Sequence, residues 1–136
     1  MDTLKVGMKH AEVWEVTEKM CTTRGEYSVF STPSMTQFVE MTSQNLAKPH
    51  LKPGQGQVGT LVNIRHLGPT PLGKKVRCEA ELVAIDRRRL TFKAKVFDDV
   101  EQVGEAEHER FVIDLDKYMA RLKAKIEGTK NTSPTS

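Results

Sequence analysis

The first half of the chain contains one clear helical pattern. Mainly apolar side chains recur at intervals of three, four and seven residues, which places them on one face of an α-helix; they are Met35, Phe38, Val39, Thr42 and Leu46. Thr32 followed by Pro33 is typical of a helix start, because threonine caps helices well and proline is tolerated in the first turn. Pro49 and then Pro53 end the pattern. The sequence therefore predicts one helix of about four turns.

Beyond Gly56 the period of the pattern changes to two, which is typical of strands with one buried face. Three runs alternate in this way. The predicted inward faces are Val58, Thr60, Val62, Ile64 and His66 in the first run, Val76, Cys78, Ala80, Leu82 and Ala84 in the second, and Leu90, Phe92, Ala94 and Val96 in the third. Predicted turns separate the runs, at Gly68–Gly73, Asp86–Arg89 and Asp98–Asp99.

The remaining segments are less regular. A fourth run, Val103–Leu115, places acidic and apolar side chains on one face. It predicts a strand that either enters the core from solvent or changes phase at a bulge. Residues 10–20 alternate weakly and predict an edge strand, whereas residues 21–31 show no period and predict a loop. Residues 116–127 predict a short helix, and residues 128–136 predict a polar, disordered tail.

The order of these elements indicates the α+β class. A strand, a loop and a helix are followed by four strands with short turns, and short turns join antiparallel neighbours. One helix needs one sheet to cover its apolar face. We therefore expect one domain over residues 1–127, with an antiparallel sheet around the helix. A single helix covers such a sheet only in part, so pairing of two copies is a natural way to complete the core.

Composition narrows the classes of function. The chain has 136 residues, of which 38% are hydrophobic, 29% charged and 6% aromatic, as in a globular domain. A net charge of +3 is too small to indicate binding of duplex nucleic acid. The first residues lack the apolar core of a signal peptide, and no apolar run is long enough to span a bilayer. We expect a cytoplasmic protein without a nucleic-acid or membrane partner.

The spacing of cysteine and histidine argues against a metal site. Cys21 and Cys78 lie far apart and form no CxxC motif, which excludes zinc ribbons and disulfide scaffolds. The simplest interpretation is a reducing compartment in which both thiols are free, and the alternative is a single disulfide between the two cysteines. None of the four histidines is paired at a spacing of three or four. Phosphate-binding glycine motifs and a Gly-x-Ser-x-Gly turn are also absent from the sequence.

Four positions have both a structural and a chemical interpretation. His66 ends a strand face, either as a histidine at the edge of the core or as an acid–base group. Glu40 lies on the helix away from its apolar stripe, either in solvent or under a second subunit that would desolvate its carboxylate. Thr32 is either a helix cap or a hydroxyl where the helix dipole favours negative charge. Gly59 indicates either a bulge or a close approach to its backbone, a ligand included.

Five segments and one spacing stand out as a set. The segments are Leu51–Thr60, Ile64–His66, Thr70–Gly73, Asp86–Leu90 and Gly104–Arg110. The spacing joins Thr32, Glu40 and His66, which are separated by 8 and 26 residues. Together they resemble the fluoroacetyl-CoA thioesterase-like family of small acyl-CoA thioesterases, and the similarity runs from about Val6 to Tyr118.

This resemblance implies a hot-dog fold, in which an antiparallel sheet wraps one long helix and two such units pair with active sites at their interface. It implies hydrolysis of an acyl-CoA thioester to the free acid and CoA, with neither cofactor nor metal. The implied catalytic residues are Thr32, Glu40 and His66, with Glu40 as nucleophile or general base, and the implied substrate-binding residues are Gly59, Phe30 and Arg110. The family's lid phenylalanines are not reproduced in residues 21–30, so the acyl group stays open.

Two other functions are compatible with the expected fold. A hot-dog hydratase or dehydratase acting on enoyl-CoA would carry an Asp–His signature that this sequence lacks. A non-catalytic module could instead bind acyl-CoA or RNA through the basic run Arg87–Arg89 with Lys93 and Lys95, which is otherwise a solvated face. The matched positions of Thr32, Glu40 and His66 favour the thioesterase.

Overall fold

An antiparallel sheet and one long helix packed against it make up most of the fold. The computed structural model describes residues 1–131. The strands are β1 (Lys9–Glu15), β2 (Cys21–Arg24), β3 (Tyr27–Phe30), β4 (Gln55–His66), β5 (Lys75–Asp86), β6 (Arg89–Phe97) and β7 (Gln102–Asp114), and the helices are α1 (Thr32–Ala47) and α2 (Leu115–Asn131). The main sheet has the order β1-β5-β6-β7-β4 with every pair antiparallel, and β2 pairs with β3 separately. The predicted α+β arrangement is confirmed.

Helix α1 buries the side chains of the predicted stripe, all five of them, and so holds the sheet and the β2–β3 hairpin together. Phe38 is central to this packing. Its ring lies tilted on Trp14 of β1, with 4.4 Å between the ring centres, and meets Phe30 of β3 edge-on at 6.3 Å. The buried hydroxyl of Thr42 is satisfied within the helix, because it donates to the Phe38 carbonyl at 2.8 Å.

Two bulges change the inward faces that alternation predicts. The face of β6 is buried as predicted, and so is that of β5 up to Leu82. There the pairing register shifts, so Ala84 is exposed and Ile85 packs against the core instead. In β4 the pairing register shifts at Thr60, which is exposed. Val58, before the shift, therefore lies on the outer face of the sheet, whereas Val62 and Ile64, beyond it, lie on the inner face. The predicted inward positions of Ala84, Thr60 and Val58 are wrong, because one extra residue reverses the side-chain phase.

Strand β7 keeps one side-chain phase from Glu105 to Phe111, so the predicted change from solvent to core along this face is wrong. The predicted bulge is present, because the pairing register shifts at Val103, but it lies before the glutamates and not between them and the apolar residues. The outer face carries Glu105, Glu107, Glu109 and Phe111, whereas the buried inner face carries Ala106, His108, Arg110 and Val112. The acidic side chains therefore stay outside the core. The inner face in turn buries a histidine and an arginine beneath α1.

Residues 21–31 were predicted as a loop, but most of them form the β2–β3 hairpin, so that prediction is wrong. Each strand has four residues, which is too short for a period of two to be visible. Gly25 lies at the turn with a φ of 62°, a conformation that glycine adopts without strain. The hairpin packs beside the start of α1 and is separate from the main sheet.

The predictions for the two ends of the chain agree with the structure to different extents. Strand β1 is an edge strand of the main sheet, as predicted. Helix α2 continues to Asn131, past its predicted end at residue 127, and the rest of the predicted tail, residues 132–136, lies outside the described residues. Cys21 and Cys78 are free thiols. Within residues 1–131, neither helix combines the length and apolarity that crossing a membrane requires.

Candidate active site

The start of α1 presents a threonine hydroxyl that is not used for capping. The N-cap is Ser31 and not Thr32, so the predicted cap is wrong by one residue: the Ser31 side-chain oxygen accepts a hydrogen bond from the Ser34 backbone N–H at 3.2 Å. Thr32 is the first helical residue, and Pro33 follows in the first turn, where its missing N–H is tolerated. The Thr32 hydroxyl is therefore available to a partner outside the helix.

That partner is His66, at the end of β4. The Thr32 Oγ1 and His66 Nδ1 atoms lie 2.8 Å apart. Burial lowers the pKa of His66 below its ordinary value of 6.5, while a hydrogen bond with the Gly68 backbone opposes this shift. The neutral imidazole is therefore the main form at pH 7, and only that form can accept a proton. The two side chains make a hydroxyl–imidazole pair suited to proton transfer.

A cavity of about 520 Å³ opens beside this pair. Its walls come from the β2–β3 hairpin, the start of α1 and the chain that follows β4. Val29, Leu67 and Pro69 form its apolar side. Phe30 also borders the cavity, but its side chain is fully buried in the core. The volume suits a small organic group next to the Thr32–His66 pair.

Glu40 lies two turns further along α1, in a second polar cluster. Its carboxylate Oε2 is 3.9 Å from Nη1 of Arg110, and its side chain is 39% exposed. Gly59 of β4 lies against the same carboxylate, because a Cβ atom at this position would come within 2.9 Å of Oε2. A side chain larger than glycine would push the carboxylate away. The close approach expected at Gly59 is therefore made by Glu40.

Arg110 is fixed behind Glu40 by buried hydrogen bonds, and it is only 3% exposed. Its Nε donates to Gln57 Oε1 at 2.6 Å and its Nη2 to Gln44 Oε1 at 3.2 Å. Its Nη1 lies 3.2 Å from His108 Nε2, and His108 Nδ1 lies 2.8 Å from the Leu61 carbonyl. These partners require a neutral His108 with its proton on Nδ1. Burial, with a further contribution from Arg110, lowers the pKa of His108 and so favours that form.

Three members of this cluster, Gln44, Gln57 and His108, were not identified as site residues from the sequence. The signal that could have found His108 is its phase in β7. It alternates with the acidic residues, as Arg110 does, so the two polar side chains share the face opposite to the carboxylates. No comparable pattern marks the two glutamines.

Within one chain, the Thr32–His66 pair and the cluster around Glu40 lie far apart. Thr32 and Glu40 are eight residues apart on α1, which is about 12 Å along the helix axis. His66 and Gly59 are seven residues apart on β4, which is roughly 20 Å along the strand. The residues implied by the resemblance therefore form two half-sites, Thr32 with His66 and Glu40 with Gly59 and Arg110.

The basic run at the β5–β6 turn is partly neutralised. Arg88 Nη1 lies 3.2 Å from Asp114, and Arg89 Nε lies 3.7 Å from Glu109. Two of the three arginines therefore have acidic partners, which favours the solvated face over a phosphate-binding surface.

Comparison with known proteins finds a matching family and a related enzyme. The family model described as fluoroacetyl-CoA-specific thioesterase matches residues 11–116. A fluoroacetyl-CoA thioesterase of Streptantibioticus cattleyicolor is 36% identical over 97 residues, which cover 71% of this chain and 70% of that protein.

Solved structures agree with this match. A structure of the fluoroacetyl-CoA thioesterase FlK superposes with a TM-score of 0.84 at 30% identity, over 91% of this chain and 98% of that one. A structure of a point mutant of that protein is a complex with fluoroacetate and CoA. A thioesterase superfamily member from Thermus thermophilus, only 23% identical, has a TM-score of 0.84 over 94% of this chain and 99% of its own, and it shows the fold alone. The hot-dog fold expected from the sequence is confirmed.

Proposed function

The chain belongs to the fluoroacetyl-CoA-specific thioesterase family and is a thioesterase, and we propose that it hydrolyses a short acyl-CoA at a site shared by two copies of the chain. The observation that carries this proposal is the division of the implied catalytic residues into two half-sites. A homodimer in the cytoplasm, acting without a cofactor, is part of the same proposal.

The outer edge of β4 supports the pairing of two copies. This strand has 12 residues and ends the main sheet, and within residues 1–131 no strand covers its second edge. Leu61 on this edge is 45% exposed. A long uncovered edge readily pairs with another strand, and an identical strand is the simplest partner.

Symmetry then predicts which residues meet. If two β4 strands pair antiparallel about a twofold axis through Asn63, His66 of one copy faces the Gly59–Thr60 bulge of the other, because residues 60 and 66 are equally far from the axis. This pairing sets Gly59, with Glu40 beside it, opposite the Thr32–His66 pair of the second copy. Each dimer would then hold two complete sites.

Such a site supports thioester hydrolysis as follows. Glu40 either attacks the thioester carbon or takes a proton from a water molecule that attacks it. The carbonyl oxygen gains negative charge and is stabilised by the Gly59 backbone N–H and the N-terminus of α1. The C–S bond breaks, and the leaving CoA thiolate takes up a proton that comes from the attacking water and is relayed through His66, whose ring is aligned by Thr32. If Glu40 attacks directly, a water molecule that His66 deprotonates then hydrolyses the mixed anhydride, which releases the free acid and restores the Glu40 carboxylate. Arg110 acts as a positioning residue, because its guanidinium is held from behind and fixes the Glu40 carboxylate.

Thiol release provides the test of this function. The purified protein should release CoA from acetyl-CoA or from another short acyl-CoA, followed with a thiol reagent, and more slowly as the acyl chain outgrows the 520 Å³ cavity. Crotonyl-CoA should gain no water across its double bond. Hydration of crotonyl-CoA without thiol release would indicate the hydratase, and binding of acyl-CoA without either reaction would indicate the non-catalytic module.

Ser31 and Thr32 should separate stability from activity. Ser31→Ala removes the cap and is expected to lower the free energy of unfolding by about 1 kcal/mol. Thr32→Ala removes the bond to His66 instead, so kcat should fall while the unfolding free energy changes little. Urea unfolding and steady-state kinetics measure the two effects. Thr32→Ser keeps the hydroxyl and is the matched control; wild-type kcat in Thr32→Ala would exclude this hydroxyl from the chemistry.

A further inference from the structure

The cavity beside Thr32 and His66 has a charged side that the proposed chemistry does not use. Arg24 and Thr22 both line it. They are two residues apart on β2, so their side chains share one face of the strand. Among the described residues that line the cavity, none carries a carboxylate, and Arg24 is the one with a permanent charge. The cavity is therefore polarised, with the hydroxyl–imidazole pair, an apolar wall and a cation.

Arg24 retains most of its hydrogen-bonding capacity. Its Nη1 donates to the Thr23 carbonyl at 3.0 Å, and it forms no ion pair with any acidic side chain in the described part of the chain. A guanidinium group has five N–H donors, arranged to bind both oxygens of a carboxylate. By contrast, Arg88 and Arg89 at the β5–β6 turn each have an acidic partner.

We propose that Arg24 makes the enzyme selective for acyl groups that end in a carboxylate, so that its preferred substrates are CoA thioesters of short dicarboxylic acids. This inference rests on the proposed thioesterase function. The thioester would lie at Thr32 and His66, the methylene carbons against Val29 and Leu67, and the distal carboxylate at Arg24, with the Thr22 hydroxyl as a second donor.

The size of the cavity distinguishes this carboxylate from the phosphates of CoA, which are also anions. Arg24 and His66 line the same cavity of about 520 Å³, so Arg24 lies within reach of a short acyl group bound at His66. The phosphates lie a full pantetheine arm away from the thioester, outside such a volume. Arg24 therefore suits the acyl end of the substrate.

Succinyl-CoA and butyryl-CoA provide the test, because both acyl groups have four carbons and only one ends in a carboxylate. The wild-type kcat/KM should be at least about 10-fold higher for succinyl-CoA, as one charge-assisted contact at a partly solvated site allows. Arg24→Gln should reduce this ratio to near one. Arg87→Gln, which removes an exposed arginine outside the cavity, should leave the ratio unchanged.

Two results would overturn the proposal. An equal ratio in the wild type and Arg24→Gln would show that Arg24 does not sense the acyl group. Arg24→Gln could instead lower kcat/KM equally for both CoA substrates but leave it unchanged for the corresponding acyl-pantetheines, which lack the nucleotide phosphates. That result would show that Arg24 binds CoA and not the acyl group. In either case continued hydrolysis of butyryl-CoA would leave the thioesterase function intact, whereas no thiol release from any acyl-CoA would end both proposals.

Discussion

Replacing Glu40 by glutamine is expected to lower kcat about 100-fold or more, which is the scale of losing a nucleophile or a general base. The amide has nearly the same size as the carboxylate, so it still fits between Gly59 and Arg110. It can neither attack the thioester nor accept a proton. Because Glu40 is 39% exposed and Arg110 keeps its other partners, the fold should be nearly as stable as before.

Steady-state thiol release and urea unfolding of Glu40→Gln measure these two quantities. Glu105→Gln is the matched control, since it removes an exposed carboxylate from the outer face of β7 and should leave both unchanged. Full activity in Glu40→Gln would exclude both roles of the carboxylate and would leave Thr32 and His66 without a catalytic partner.

The large elements of the fold could be predicted because each one repeats its pattern several times. Helix α1 shows its stripe over four turns, and β6 alternates over its whole length, so these faces were predicted correctly. The β2–β3 hairpin has only four residues in each strand and offers no repeat. The bulges at Thr60 and beyond Leu82 depend on pairing with a neighbouring strand, which a single strand's sequence does not reveal.

The residues of the candidate site came from a different kind of signal. Local patterns left Thr32, Glu40 and His66 open between structural and chemical roles, and a family spacing favoured the chemical ones. The support of Glu40 by Arg110 and His108 escaped the sequence analysis, because the apolar residues beside the glutamates suggested a disturbed face in β7. In fact the glutamates lie outside and the polar pair lies inside. The separation into half-sites required the lengths of α1 and β4 in the structure.

Two inactive variants should restore each other's activity if the site is shared. Consider Glu40→Gln in one copy and His66→Ala in the other. In the mixed dimer, the intact His66 of one copy meets the intact Glu40 of its partner, so one of the two sites is complete. The other site carries both substitutions. A mixed dimer should therefore show about half of the wild-type kcat, at least 50-fold above a homodimer that retains about 1%.

The most direct measurement is thus thiol release by a mixed dimer, produced by co-expression with two different affinity tags and purified on both in succession. The shared site predicts that the two variants co-purify and recover about half of the wild-type rate, while each variant alone stays inactive. Co-purification without recovery would show that each site lies within one chain. Failure to co-purify, with a wild-type protein that sediments as a 15.3 kDa monomer and still releases thiol, would contradict the dimer itself.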